Sequence, residues 1–388
     1  MSERNCALNS KAYLALKEVY EDRLKPAREW KANGGKTVWT LGCDIPDEIV
    51  ISAGMLPVRT FGLYGDQPMS DKYLEMSFGP VWRGLFERIV SGVNADLIDH
   101  LAISRSSDML VRIFYYLREL KRFEPQLDLP DMTFLDQELI LGNDHSKEWN
   151  ESNNRIFLKK VEEWSGMKIT EEKLSDAIAV CNDNRRALAQ FAALRYGEGS
   201  RVTGSEALTV IGASLFMDKK ENTRLVKELI KDAENWPVVD AEKLFYVGSV
   251  QENTEVYSEI EALGWNVVSE DHDWGDRHFD GITDADREAV TAITERIMMR
   301  SPSGEQSLVE NHCRSVLEKV KKCGADAVII YMNFNDEAYF LEFPTMRDML
   351  KEYDIPVLCV TKQTVPMKDK EGFANALNGL AGQLKGGK

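Results

Sequence analysis

Cysteine is scarce in this chain. Six in 388 residues, scattered without regular spacing, are too few for a disulfide framework and fit a reducing, cytoplasmic setting. Long hydrophobic runs are missing as well. None approaches the roughly 18 apolar residues of a membrane span. The N-terminus, MSERNCALNSKAYLALKEVYEDR, lacks the apolar segment of a signal peptide. Positive charge is in deficit: 48 Lys+Arg against 64 Asp+Glu leave −16. Such a surface repels phosphate backbones and makes nucleic acid an unexpected partner. The fingerprint G-x-G-x-x-G is absent, so nothing supports a nicotinamide cofactor. The remaining composition, 43% apolar and 29% charged, is that of a globular chain. At about 150 residues per domain, the length suggests two or three domains.

Periodicity organises the chain. The first 35 residues read as one amphipathic helix with Tyr13, Leu14, Leu16, Val19 and Tyr20 on one stripe, stopped by Asn33-Gly34-Gly35. Strands are expected at 36–41, 56–60, 95–103 and 132–135, with helices over 48–53, 82–90 and 109–122 between them. From about His145 to Asn235 only helical period is present, and Thr170-Glu-Glu-Lys173 caps a helix running to Leu194. The strand–helix rhythm then resumes, with strands at 244–248, 265–268, 325–331 and 356–360. Between and after them, helices are expected over 254–263, 284–299, 305–322, 338–353 and 370–384. Alternating strand and helix is the signature of parallel sheets. The expected fold is α/β, with two doubly wound, flavodoxin- or Rossmann-like domains over 1–144 and 241–388, joined by a helical segment over 145–240.

Several motifs carry less than they promise. Gly34-Gly35-Lys36-Thr37 looks like the end of a phosphate-binding loop. However, Trp30 stands where the leading glycine is needed, and the segment leads from helix to strand, so a turn is expected. Asp271 to His278 is dense in metal-ligand types but matches no zinc or calcium spacing. At the carboxyl end of a strand it suits a substrate or subunit contact better than a metal. His312-Cys313 lies inside a helix with no third partner in sequence, which points to packing; Cys6, Cys181, Cys323 and Cys359 read as inert small side chains. A threefold pattern is more informative. An apolar strand ends in a small or polar residue followed by Asp at Cys43-Asp44, Ser107-Asp108 and Asn335-Asp336. In a doubly wound fold such positions converge above the strand ends, although each Asp can equally be a plain helix cap.

At these residues the chain resembles the 2-hydroxyacyl-CoA dehydratase family, which includes ATP-dependent benzoyl-CoA reductase subunits. Gly42-Cys43-Asp44-Ile45-Pro46-Asp47-Glu48-Ile49 with Ala53-Gly54-Met55-Leu56-Pro57-Val58-Arg59 is similar to the family's G-C-x-x-P-x-E-[IL] … A-G-x-x-P-[VI]-R. Further agreement lies in Leu244 to Gly248, around Gly275-Asp276-Arg277, in Ala325 to Ile330 and in Asp354 to Leu358. The resemblance implies an acyl-CoA thioester substrate, a lyase (dehydratase) or reductase reaction, anaerobic metabolism and a heterodimer of two related subunits. In the family, both subunits hold a [4Fe–4S] cluster through three cysteines, and an ATP-hydrolysing activator supplies one electron to form a substrate ketyl radical.

The departure from that pattern is specific. Of the three cysteine positions only Cys43 is kept; Ser107 and Asn335 occupy the other two, and Thr361 to Asp369 replaces the family's segment rich in glutamine and arginine. Four-iron clusters need soft, anionic thiolates. One thiolate beside a hydroxyl and a neutral amide implies a chain without a cluster, paired with a homologous subunit that carries one. Two alternatives stay open. Cys43 could serve as an iron-independent nucleophile whose pKa is lowered at a strand–helix crest, or the cleft could serve binding alone. Arg59, Arg105, Arg112 and Arg277 are the candidates for the phosphates of coenzyme A.

Overall fold

A computed structural model describes residues 4–138, 144–336 and 338–386. Residues 1–3 of the expected first helix, and 139–143 at the end of the expected first domain, lie outside the described residues.

The expected N-terminal helix is three shorter ones: α1 (Asn5–Leu8), α2 (Lys11–Glu21) and α3 (Lys25–Ala32). Ser10 opens α2 by accepting a hydrogen bond from the Tyr13 N–H, and Asp22 leaves helical geometry at its end. Pro26 then sits in the first turn of α3, where its missing N–H would have no intrahelical partner. Within α2, Leu14 faces outward, 43% exposed, while Tyr13, Leu16 and Tyr20 are buried.

A first parallel sheet follows. In chain order it comprises β1 (Thr37–Leu41), α4 (Asp47–Ser52), β2 (Leu56–Arg59), α5 (Pro68–Tyr73), α6 (Pro80–Val90), β3 (His100–Ser104), α7 (Asp108–Phe123) and β4 (Asp131–Leu135). The strand expected over 95–103 starts only at His100, because Ala95–Leu97 winds into a 3₁₀ turn. Four helices come next: α8 (Asp144–Ser165), α9 (Glu171–Ala192), α10 (Gly204–Ala213) and α11 (Lys219–Ala233). The second parallel sheet comprises β5 (Glu242–Gly248), α12 (Glu255–Ala262), β6 (Trp265–Asp271), α13 (Ala289–Met298), α14 (Val309–Cys323), β7 (Ala327–Asn333), α15 (Ala338–Lys351), β8 (Val357–Gln363) and α16 (Lys370–Gly386). Among the described residues, no helix is long and apolar enough to cross a membrane.

Strand order is β2-β1-β3-β4 in one sheet and β6-β5-β7-β8 in the other, the flavodoxin-like arrangement of a doubly wound fold. Both sheets are covered on both faces, which is why their strands read as nearly unbroken apolar runs. In β1, Val38 faces α4, α8, α9 and α13, while Trp39 and Leu41 face the opposite core. In β7, Ala327, Ile329 and Tyr331 face one core, and Val328, Ile330 and Met332 face α14 and α15. The central helices serve both sheets: α8 packs beside β4, and α10 packs on β6 and on α2. One apolar core therefore runs without interruption from Trp39 and Leu101 through Leu208 and Ile211 to Tyr246 and Ile329.

Candidate functional site

Each sheet reverses direction once, between β1 and β3 and between β5 and β7, and ligands of such folds lie above the carboxyl ends at that reversal. The loops leaving these strands face one another across a cleft of about 880 Å³, counted out to its open mouth. Gly42 and Cys43 (after β1), Ser106 and Ser107 (after β3), Gly248 to Val250 (ending β5) and Asn333, Phe334 and Asp336 (ending β7) contribute to its walls. His272 to Trp274, Trp82, Arg59, Glu252 and Glu305 are among the other lining residues. Two glycines stand at equivalent places in the two sheets. Gly42 has φ +93°, and a Cβ there would lie 2.2 Å from Ser104 Oγ. Gly248 has φ +127°, and a Cβ would lie 2.1 Å from the Tyr331 carbonyl oxygen. Only glycine fits either turn.

Of the three positions singled out in sequence, Cys43 and Ser107 line the cleft, whereas Asn335 is turned away. Asn335 takes left-handed backbone, φ +62°, and its Nδ2 donates to the Met76 carbonyl at 3.0 Å. Its neighbours Asn333 and Asp336 face the cleft instead. Ser107 caps α7, accepting from the Met109 N–H at 3.2 Å. Cys43 Sγ donates to Asp44 Oδ1 at 3.3 Å, and Arg300, ion-paired to Asp44, donates to the Cys43 carbonyl at 3.0 Å.

The Cys43 thiol is pushed well up, first by burial and then by the Asp273 and Asp44 carboxylates, which outweigh Arg300 and Arg277. This reverses the lowered pKa expected from a helix dipole. The helix α4 begins only at Asp47, so its dipole is spent before it reaches the sulfur.

These groups do not fit a four-iron cluster held by three thiolates. A single thiol, a hydroxyl already serving as a cap and a neutral amide bonded elsewhere supply no set of three soft anionic donors. Among the described residues, no three His, Cys, Asp or Glu side chains converge as metal ligands.

The arginines divide. Arg277 is 3% exposed and held by Asp271, Asp273 and the carbonyls of Ser301 and Pro302. Arg105 pairs with Asp136 and Glu138 away from the cleft, and Arg112 is exposed on α7. Arg59 lines the cleft, and its Nε is buried without a hydrogen-bond partner. The Gly34–Thr37 segment is the expected turn, with Lys36 donating to the Trp164 carbonyl and Thr37 to that of Leu97.

His312 has the partners that its own stretch of sequence lacks. Asp271 lies 2.7 Å from its Nε2 and Glu342 2.5 Å from its Nδ1, which hold it protonated up to about 9 against burial.

His272 belongs to the Asp271–His278 stretch expected to meet a substrate or subunit, whereas sequence reasoning missed Glu252, Asn333 and Glu305 of the cleft. His272 is buried and pushed down to about 4, chiefly by desolvation, so it is neutral. Its Nδ1 accepts from the Trp274 N–H, which leaves Nε2–H to donate to the Tyr257 hydroxyl at 2.9 Å. Glu252 accepts from the Gly62 N–H and the Tyr64 hydroxyl and is raised by burial. Asn333, 4% exposed, has neither Nδ2 nor Oδ1 paired. Glu305 is raised to about 8, by burial first and then by Asp336, and is therefore a neutral carboxyl at pH 7.

The Glu305 shift predicts a pH dependence of stability. The folded chain holds a proton that the unfolded chain releases near the ordinary glutamate value. Stability from this group is complete below that value and is lost as pH rises to about 8. Glu305→Gln is expected to flatten this fall, measured as the difference between wild-type and variant urea midpoints from pH 5 to pH 8. An unchanged difference would show that Glu305 ionises normally.

Two flavodoxin-like sheets whose reversal points share one cleft define a doubly wound α/β protein of two parallel sheets. Residues 43–380 match the family described as 2-hydroxyglutaryl-CoA dehydratase, D-component, and the chain belongs to that family. It is 22% identical over 383 residues to the (R)-phenyllactyl-CoA dehydratase beta subunit of Clostridium sporogenes, covering 97% of this chain and 99% of that one. It is 24% identical to the beta subunit of (R)-2-hydroxyglutaryl-CoA dehydratase from Acidaminococcus fermentans, covering 84% and 87% of the two chains. It is 23% identical to one of the benzoyl-CoA reductase subunits of Thauera aromatica, covering 92% and 96%.

Proposed function

We propose that this chain is one subunit of an acyl-CoA dehydratase- or reductase-like assembly, free of a cluster itself and paired with a homologous subunit that carries a [4Fe–4S] cluster. The family supports the acyl-CoA substrate class, and the three relatives are themselves subunits of dehydratases and a reductase. The observation that carries the cluster-free part is the donor set, with a single thiol at Cys43, a capping Ser107 and an averted Asn335.

In this reading the one-electron chemistry belongs to the partner and its ATP-hydrolysing activator, and this chain supplies binding and proton placement. Asn333 offers an unpaired donor and acceptor to polar groups of a thioester ligand. Glu305, neutral at pH 7, offers a proton at the cleft wall, where a departing hydroxyl group needs one. The reading with Cys43 as an iron-independent nucleophile loses support, because a thiol held protonated is a poor nucleophile.

The test is reconstitution under anaerobic conditions with a three-cysteine homologous subunit and an activator. Turnover of a 2-hydroxyacyl-CoA is expected only when all three are present. Turnover by this chain alone, abolished by Cys43→Ala, would contradict the proposal and favour the nucleophile.

A further inference from the structure

Behind Cys43, on the far side of Arg59 from the cleft, lies a second hollow of about 400 Å³. Arg59, Arg185, Lys219, His278 and Arg296 line it, and among the described residues Asp47 is the one acidic lining group. Lys219 is 5% exposed, and Arg185 and Arg296 are each 7% exposed. Their local neutralisation is incomplete. Glu48 pairs with Arg185 at 2.6 Å, and Asp47 pairs with Lys219 at 3.2 Å. Arg296 has only the Asp280 carbonyl at 3.2 Å, with Glu48 at 4.0 Å from its unpartnered Nε. Arg59 has no hydrogen bond or ion pair from its guanidinium among the described residues, and its Nε is buried. Four cations minus two carboxylates leave two positive charges uncompensated around one hollow.

Buried cations without counter-charge are expensive, and folds do not assemble them by packing alone. Two neighbouring groups register the excess. His278 is driven well below its usual range by burial and by Lys219, Arg59, Arg185 and Arg296, and Arg296 is lowered to about 9 by burial and then by Arg185. Arginine forks with free Nε–H edges are the natural partners of planar or tetrahedral oxyanions.

We infer that this hollow is an oxyanion subsite, which takes a carboxylate or phosphate group of a ligand bound in the main cleft. The two spaces share Cys43 and Arg59 as a common wall, so an anion enters from the ligand side. The inference rests on the acyl-CoA reading only for the source of the anion, which is either a carboxylate at the far end of the acyl chain or a phosphate of coenzyme A.

The probe for the subsite itself is inorganic phosphate, exchanged for chloride at constant ionic strength, with the full chain followed by thermal melting. Phosphate is expected to raise Tm by about 3 °C in the wild type and not in Arg59→Gln, whose side chain has no partner to lose. Calorimetric titration then separates the sources. A preference of about tenfold for glutaryl-CoA over pentanoyl-CoA, erased by Arg59→Gln, assigns the acyl carboxylate. A similar preference for coenzyme A over its dephospho form, likewise erased, assigns the phosphate. Phosphate protection through Arg59 without binding of any CoA compound would uphold the subsite and remove the acyl-CoA reading. Phosphate without effect, or acting equally on Arg59→Gln, would overturn the subsite.

Discussion

Replacing Arg195 by Met is expected to remove about 3–5 kcal/mol of stability, the usual consequence of deleting one partner from a buried ion cluster. Arg195 and Glu270 are fully buried, 2.5 Å apart, and the same guanidinium holds Asp276 at 2.7 Å. Ser269 and the Asp276 N–H complete the network by donating to Asp276 and Glu270. Asp276 is raised to about 6, by burial first and by Glu270 next, because two carboxylates share one cation. Without the guanidinium, two acidic groups remain in the core between β6 and the central helices. The deficit should therefore be larger at pH 8 than at pH 5, where protonation relieves the repulsion. Urea unfolding at both values measures it, and a loss below about 1 kcal/mol at pH 8 would mean that water already neutralises the cluster.

The double substitution Ser107→Cys with Asn335→Cys is expected to create an iron-binding chain. It puts thiols on the loops after β3 and β7, and residue 335 would have to turn from Met76 toward the cleft that Cys43 lines. Metal binding would lower all three thiols together, a contribution that a single thiol lacks. Anaerobic reconstitution should yield about four irons per chain for the double variant and well below one for Ser107→Cys alone. Asn335 is left-handed at φ +62°, which cysteine tolerates less readily, so some loss of stability accompanies the gain. A double variant that stays iron-free would show that Asn335 is not the third ligand position, leaving the cleft-facing Asn333 as the alternative.

The strands were the most legible part of the chain. A parallel strand covered on both faces reads as an apolar run, and all eight expected runs became strands, with ends differing by a few residues. The first helix was misread because hydrophobic period continues across Ser10 and Asp22, where a cap and a non-helical residue interrupt it. Cys43 and Ser107 were found because the crest of a strand is a local feature. The burial of Arg277 was not legible because exposure is not local: besides Asp271 and Asp273 it is enclosed by the distant carbonyls of Ser301 and Pro302. Glu305 and Asn333 gave no signal, since a lone glutamate or asparagine carries no pattern until burial isolates it. The basic hollow was beyond any window, because Arg59, Arg185, Lys219 and Arg296 come from β2, α9, α11 and α13 and meet only through the fold.

Metal content of the isolated chain bears most directly on whether it lacks a cluster of its own. Anaerobic purification without a partner, followed by iron and acid-labile sulfide determination and low-temperature electron paramagnetic resonance after reduction, is the decisive measurement. Well below one iron per chain and no cluster signal are predicted. About four irons and four sulfides per chain, with the resonance of a reduced cubane lost in Cys43→Ala, would contradict it.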